Sequence, residues 1–228
     1  LTLFSCSEDP DVLYSKAETE AALGSRQAAL DYLMKIQRSS PEYTEAYLFA
    51  AQLFLEDNNL SEAVNQCKRG LDAKADSTMI LRYIGEIYYR NGSIESAYQY
   101  YRRAVQTDKN NVDAQISLGQ ILNEKDLYEQ AVIHFNKALE LDSANYNATV
   151  GKAITLGRSG KNAKAIELLE AAILDEPMMG PAYGALAMAQ EETSIEDEAI
   201  LDNYKLAVKL ESSNKPSWEA YIEFMLKD

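Results

Sequence analysis

The side chains that most often do chemistry in proteins are scarce in this chain. His134 is the only histidine, and Cys6 and Cys67 are the only thiols. A Ser-His-Asp triad needs a histidine between nucleophile and carboxylate, and a zinc site needs several His or Cys ligands at short spacing. His134 has no second histidine one helical turn away, so a surface or helix-packing role is expected of it rather than a metal. Cys67 stands inside a helical pattern and is expected to be a buried thiol. Glu191, Glu192, Glu196, Asp197 and Glu198 are crowded, yet they lack the glycine and ligand spacing of a calcium loop and read as a solvated acidic turn. No catalytic, cofactor-binding or metal-binding residue is assigned, and the chain is read as a non-enzyme without a cofactor.

The composition agrees. The chain has 228 residues, 46% hydrophobic and 25% charged, an ordinary globular balance. The formal net charge of −14 repels phosphate backbones, so nucleic acid is excluded as a partner and basic segments are favoured. No apolar run reaches the roughly 18 residues of a membrane span.

What the sequence has in abundance is a repeat. Ala29, Ala63, Ala97, Ala131 and Ala165 recur every 34 residues. The same period carries turn formers at Gly24, Asn58, Gly92, Asp126, Gly160 and Ser194. It carries small residues at Ala17, Ala51, Gly85, Gly119, Ala153 and Ala187, and large or apolar ones at Leu33, Cys67, Tyr101, Phe135 and Leu169. Ile36, Gly70, Ala104, Ala138 and Ala172 form another, mostly small column. Within one period, Leu81, Ile84, Gly85 and Tyr88 make one apolar helical stripe and Ala97, Tyr101, Ala104 and Val105 a second, with Asn91-Gly92 between. The unit is a helix–turn–helix hairpin, and a single hairpin cannot bury both stripes, so neighbours must stack on it. Tyr88 and Tyr101 belong to core columns; Tyr89 and Tyr100 need another explanation.

These residues resemble the tetratricopeptide repeat, a family of 34-residue helical hairpins. The resemblance rests on Leu81, Ile84-Gly85, Tyr88, Gly92, Ala97, Tyr101 and Ala104, and on matching sets such as Leu118-Gly119, Leu122, Ala131, Phe135 and Ala138. It implies an all-α solenoid winding as a right-handed superhelix, with six repeats over 10–43, 44–77, 78–111, 112–145, 146–179 and 180–214 and a capping helix over 215–228. The sixth repeat needs one extra residue near Ile195–Ile200 to bring Tyr204 and Ala207 into register.

In this family a concave face is lined by first-helix residues outside the core columns. The resemblance therefore points to Phe49, Gln52, Arg82, Tyr83, Glu86, Tyr89, Arg90, Gln120, Asn123, Ile154 and Arg158 as a groove for a protein or peptide partner. Phe49, Tyr83 and Tyr89 are expected to gather into one aromatic patch, with Arg82 and Arg90 holding an acidic group, unless Arg82 simply pairs with Glu86. Gly151, Gly157 and Gly184 are expected to leave room for a ligand in the groove wall. The terminal-carboxylate clamp of chaperone-tail receptors in this family is not matched, since the corresponding pairs are Tyr14/Glu18, Leu48/Gln52, Arg82/Glu86 and Ile116/Gln120.

Residues 1–9 carry a second resemblance. Leu3-Phe4-Ser5-Cys6 is similar to the lipobox of bacterial lipoproteins, in which a small residue precedes the cysteine that receives lipid, and Ser7-Glu8-Asp9-Pro10-Asp11 would form an acidic tether. On that reading 1–9 is the remnant of a lipoprotein signal plus tether, Cys6 is lipidated, and the protein is held at the bacterial envelope by its anchor alone, at the outer membrane on the periplasmic or surface side. The architecture then resembles the pilotin lipoproteins that aid assembly of envelope complexes. The plain alternative is a frayed tail with an incidental cysteine. That makes the chain a soluble cytoplasmic adaptor, or the non-catalytic fragment of a larger enzyme.

Overall fold

A computed structural model describes residues 8–193, 195–213 and 215–226. Cys6 and Ser194 lie outside the described residues. The described residues fall into two compact units, divided between Lys109 and Asn110.

The first unit contains three hairpins: α1 (Pro10–Ala22) with α2 (Arg26–Ser39), α3 (Thr44–Glu56) with α4 (Leu60–Asp72), and α5 (Ser77–Arg90) with α6 (Ile94–Thr107). The second contains α7 (Val112–Glu124) with α8 (Tyr128–Leu141), α9 (Tyr146–Arg158) with α10 (Asn162–Asp175), α11 (Gly180–Glu191) with α12 (Asp197–Leu210), and α13 (Lys215–Met225) packed on α11 and α12. Five residues separate α11 from α12, where three separate α5 from α6. With that longer turn, Tyr204 and Ala207 still reach the core, both fully buried.

The turn column stops α1, α3, α5, α7 and α9 by one mechanism. Gly24, Asn58, Gly92, Asp126 and Gly160 all have positive φ, between 55° and 78°. Beside each, two backbone hydrogen bonds satisfy the last carbonyls of the helix. At the first, Gly24 N–H donates to the Ala21 carbonyl and Ser25 N–H to that of Glu20. Lys74 does the same at the end of α4, with φ 62°, a left-handed residue that nothing in the repeat pattern announces. Five helices start on side-chain caps: Asp9, Asn59, Asp76, Asn111 and Asn145 each accept a bond from a backbone N–H of the helix they precede, whereas the first helices α3 and α11 have none. Asn59 is the exception in this set, capping a second helix.

The small and large columns meet across each hairpin. Ala17, Ala51, Ala153 and Ala187 are fully buried, as are Ala29, Ala63, Ala97, Ala131 and Ala165. Where the first-helix column holds Gly85 or Gly119, the second helix supplies an aromatic ring, Tyr101 or Phe135. Cores are shared between adjacent hairpins. Tyr47, Ala51, Cys67, Ile80 and Ile84 join α3, α4 and α5, while Val150, Leu169, Ala182 and Leu186 join α9, α10 and α11. This is the stacking that a lone hairpin lacks. Tyr100 stacks on Tyr88 with ring centroids 5.5 Å apart, which accounts for one of the two unexplained tyrosines.

Candidate functional site

In the first unit, α3 and α5 run side by side and leave a cleft of about 450 Å³. Gln52, Leu55 and Glu56 line it from α3, and Tyr83, Glu86, Ile87 and Arg90 from α5. The spacings i, i+3, i+4 and i+7 put each set on one helical face. Ile87 is buried and Leu55 half-buried, so the floor is apolar; Gln52, Glu56 and Arg90 are exposed on the rim. Glu86 pairs with Arg90 at 2.5 Å. Glu56 pairs with Arg26 at 2.6 Å, and Arg26 also holds Asp57. Burial pushes the Tyr83 hydroxyl up to about 12, so it stays a neutral donor at physiological pH.

Four of the expected groove residues, Gln52, Tyr83, Glu86 and Arg90, therefore share this cleft. Of the three aromatics expected there, Phe49 and Tyr89 do not line this cleft. Phe49 packs against Tyr14, 5.7 Å between centroids, on the core of α1, α2 and α3. Tyr89 is exposed but off the cleft lining, because six residues along a helix turn it about 120° away from Tyr83. Arg82 is half-buried and also off the lining. Glu86 pairs with Arg90 rather than Arg82, the order in which the acid precedes the base by four residues and suits the helix dipole. Arg90 is thus engaged, which weakens the expectation that it holds an acidic ligand.

In the second unit, Ile154 and Arg158 line a cleft of about 410 Å³ between α9 and α11. Its opposite wall is Ala185, Met188 and Ala189 of α11 and Glu192 just after it. Arg158 bonds Glu124 and Asp126, each at 3.2 Å. Of the three glycines expected to open the wall, Gly157 alone lines this cleft, and a Cβ there would make ordinary contacts with Ala165, Asn162 and Ala189 at 3.8–3.9 Å. The space at Gly151 is filled by the Phe135 ring, and that at Gly184 is closed by Ser217 of α13. Gln120 is exposed and Asn123 buried on α7, and neither lines a described cleft. Leu55, Ile87, Ala185, Met188 and Ala189 were not anticipated. Extending the first-helix positions into the sixth repeat would have found Ala185 and Met188; the others are apolar residues that composition cannot tell from core.

The reactive residues sit as packing. Cys67 is fully buried, which pushes its thiol up to about 12. The His134 Nδ1 lies 2.7 Å from the Gln115 Oε1, and burial lowers the imidazole pKa. Glu191 accepts a hydrogen bond from the Tyr204 hydroxyl. Among the described residues no group of three His, Cys, Asp or Glu is placed to hold a metal ion, and no helix is long and apolar enough to cross a membrane.

A sequence profile of the tetratricopeptide repeat matches residues 14–78, 50–112, 84–146 and 150–215. The chain belongs to the tetratricopeptide repeat family. Solved structures share its tetratricopeptide fold at low identity. A chain of the APC/C hetero-tetramer Cut9-Hcn1 superposes with a TM-score of 0.74 at 13% identity, over 97% of this chain and 44% of that one. This chain therefore spans less than half the length of that relative. A tetratricopeptide repeat protein from Parabacteroides merdae matches with a TM-score of 0.65 at 17% identity, over 95% and 98% of the two chains. YrrB, a TPR protein with an unusual peptide-binding site, matches with a TM-score of 0.57 at 18% identity, over 82% and 96%. No curated protein sequence matches the chain.

Proposed function

We propose that the chain is a non-catalytic scaffold that binds segments of partner proteins on the exposed faces of its first helices. The observation that supports this best is the α3–α5 cleft, an apolar floor of Leu55 and Ile87 under a polar rim of Gln52, Glu56 and Arg90. Concave, mostly apolar sites with a few polar groups are the usual form of a binding pocket. Peptide binding by the structurally similar YrrB is consistent with the reading. The test is affinity purification from the source cells with wild type, Gln52→Tyr and Arg90→Glu. Both positions are exposed, so folding should be unaffected. Partner capture should fall at least tenfold. Undiminished capture by both variants would place the binding surface elsewhere.

The finer reading places this scaffold at a bacterial envelope through lipid on Cys6, in a pilotin-like role in assembly of an envelope complex. Its support is the Leu3-Phe4-Ser5-Cys6 sequence alone. Two or more acyl chains anchor a protein stably where one does not. Expressed from its gene in bacteria, the protein should fractionate with membranes and show an acylated Cys6 by mass spectrometry, and Cys6→Ser should release it. An unmodified N-terminus running through Leu1 would leave a soluble adaptor.

A further inference from the structure

The α9–α11 cleft is not alone on its face of the second unit. A smaller cleft of about 210 Å³ adjoins it, lined by Met188, Glu191 and Glu192 of α11 and the turn after it, Tyr204 of α12, and Ala220 and Glu223 of α13. Met188 and Glu192 belong to both linings, so the two form one continuous depression. Its halves differ in chemistry. The larger half is floored by Ala153, Gly157, Ala185 and Ala189 and walled by Ile154 and Met188, which are 36% and 54% exposed. Large apolar side chains held against water at a concave surface mark a contact site rather than a folding core. The smaller half is rimmed by three carboxylates. Arg158, the cation on the larger lining, is already shared between Glu124 and Asp126 and cannot neutralise them.

We propose that this depression binds an extended segment of a partner protein that carries an apolar anchor of Leu or Met size and a Lys or Arg about three residues away. The anchor enters over Gly157, which lines the cleft without a side chain of its own, against the adaptable thioether of Met188. The basic head meets Glu192 and Glu223, and Glu191 is held in place by the Tyr204 hydroxyl. The spacing follows from the helices: packed neighbours such as α11 and α13 lie about 10 Å apart, the reach of about three extended residues. The net charge of −14 adds long-range attraction for a basic segment and disfavours an acidic one. The inference rests on the scaffold reading but assigns a second site with its own ligand chemistry, separate from the α3–α5 cleft.

The test is selection of a random dodecapeptide phage library on the purified chain, followed by fluorescence anisotropy with the most enriched peptide. Enriched sequences should share Leu, Ile or Met with Lys or Arg two to four positions away. The dissociation constant should rise at least tenfold in Met188→Asp, in Gly157→Leu, which fills the larger half, and in Glu192→Lys with Glu223→Lys. It should also rise between 50 and 500 mM salt, and Gln52→Tyr should leave it unchanged. Met188→Asp and Gly157→Leu change different surfaces of the cleft, so misfolding of one leaves the other decisive. Enriched peptides without a basic residue, or binding indifferent to these variants, would overturn the proposal. Peptides lost only in Gln52→Tyr would overturn it while leaving the scaffold reading intact, and failure to enrich any peptide would count against both.

Discussion

Gly85 and Tyr101 are in such close contact that a methyl group on Gly85 would lie 2.6 Å from two carbons of the tyrosine ring. Gly85 is in the first helix of its hairpin and Tyr101 in the second, and both are buried. Gly85→Ala should therefore overpack the hairpin by about 1–3 kcal/mol. Tyr101→Leu should partly rescue it, so the double variant should lose less than the sum of the singles. Gly157→Ala is the control: its Cβ would meet only ordinary contacts, and the substitution should be neutral or stabilise by up to about 1 kcal/mol. Equal losses at the two glycines in chemical denaturation would contradict this packing.

The left-handed turn residues make a second prediction. Gly24, Gly92 and Gly160 have φ near 75–78° with open space around the α-carbon, so alanine there meets no neighbour and costs only backbone strain. Each Gly→Ala should lower stability by about 1 kcal/mol. Asn58→Gly should raise it slightly, since Asn58 already holds φ 55° with a side chain attached. Thermal melts of the four variants would decide; a stabilising Gly24→Ala is the result that contradicts the assignment.

His134 should make stability pH-dependent in a set direction. Burial lowers its pKa in the folded chain, so the unfolded chain takes up a proton first as pH falls through about 6.5. Its contribution is whole above that pH and declines below it. The Tm advantage of wild type over His134→Gln should shrink between pH 7.5 and 5. Measuring the difference removes the general effect of acid on a chain with 36 carboxylates.

Cys67 should be inert while the chain is folded. Its thiol, pushed up to about 12 and fully buried, offers no thiolate at pH 8. In a Cys6→Ser background, aromatic disulfide reagents should label Cys67 at least a hundredfold faster in denaturant than in buffer. The raised pKa also means that its stabilising contribution is present below about pH 9, the unfolded value, and fades as pH rises toward 12. Rapid labelling of the native chain would show that this core opens.

Much of the fold was legible because a 34-residue period samples the same physical environment six times. One glycine is ambiguous, but Gly24, Asn58, Gly92, Asp126 and Gly160 in register can only mark a recurring left-handed turn, and the chain adopts it at every one. The pairing of Gly85 with Tyr101 and Gly119 with Phe135 is also visible as a trade of volume between columns. Lys74 shows the limit: its left-handed φ follows from how α4 must end before α5, and lysine has no propensity that announces it.

The sites were legible only in part, for a geometric reason. Sequence position determines the helical face on which a side chain leaves the backbone, which is why Gln52, Tyr83, Glu86 and Arg90 meet in one cleft. Whether that face is open, and which ion pairs form across it, depends on neighbours distant in sequence. Phe49 turned out to serve the α1–α3 core, Glu86 chose Arg90 over Arg82, and the spaces at Gly151 and Gly184 were taken by Phe135 and Ser217. Periodicity alone determined the helices, their turns and the buried columns, because those are set by local backbone geometry and by residues that recur. Only the tertiary structure decided that Gly157 and Met188 border an open, acid-rimmed depression, because an empty space is defined by every side chain that fails to fill it.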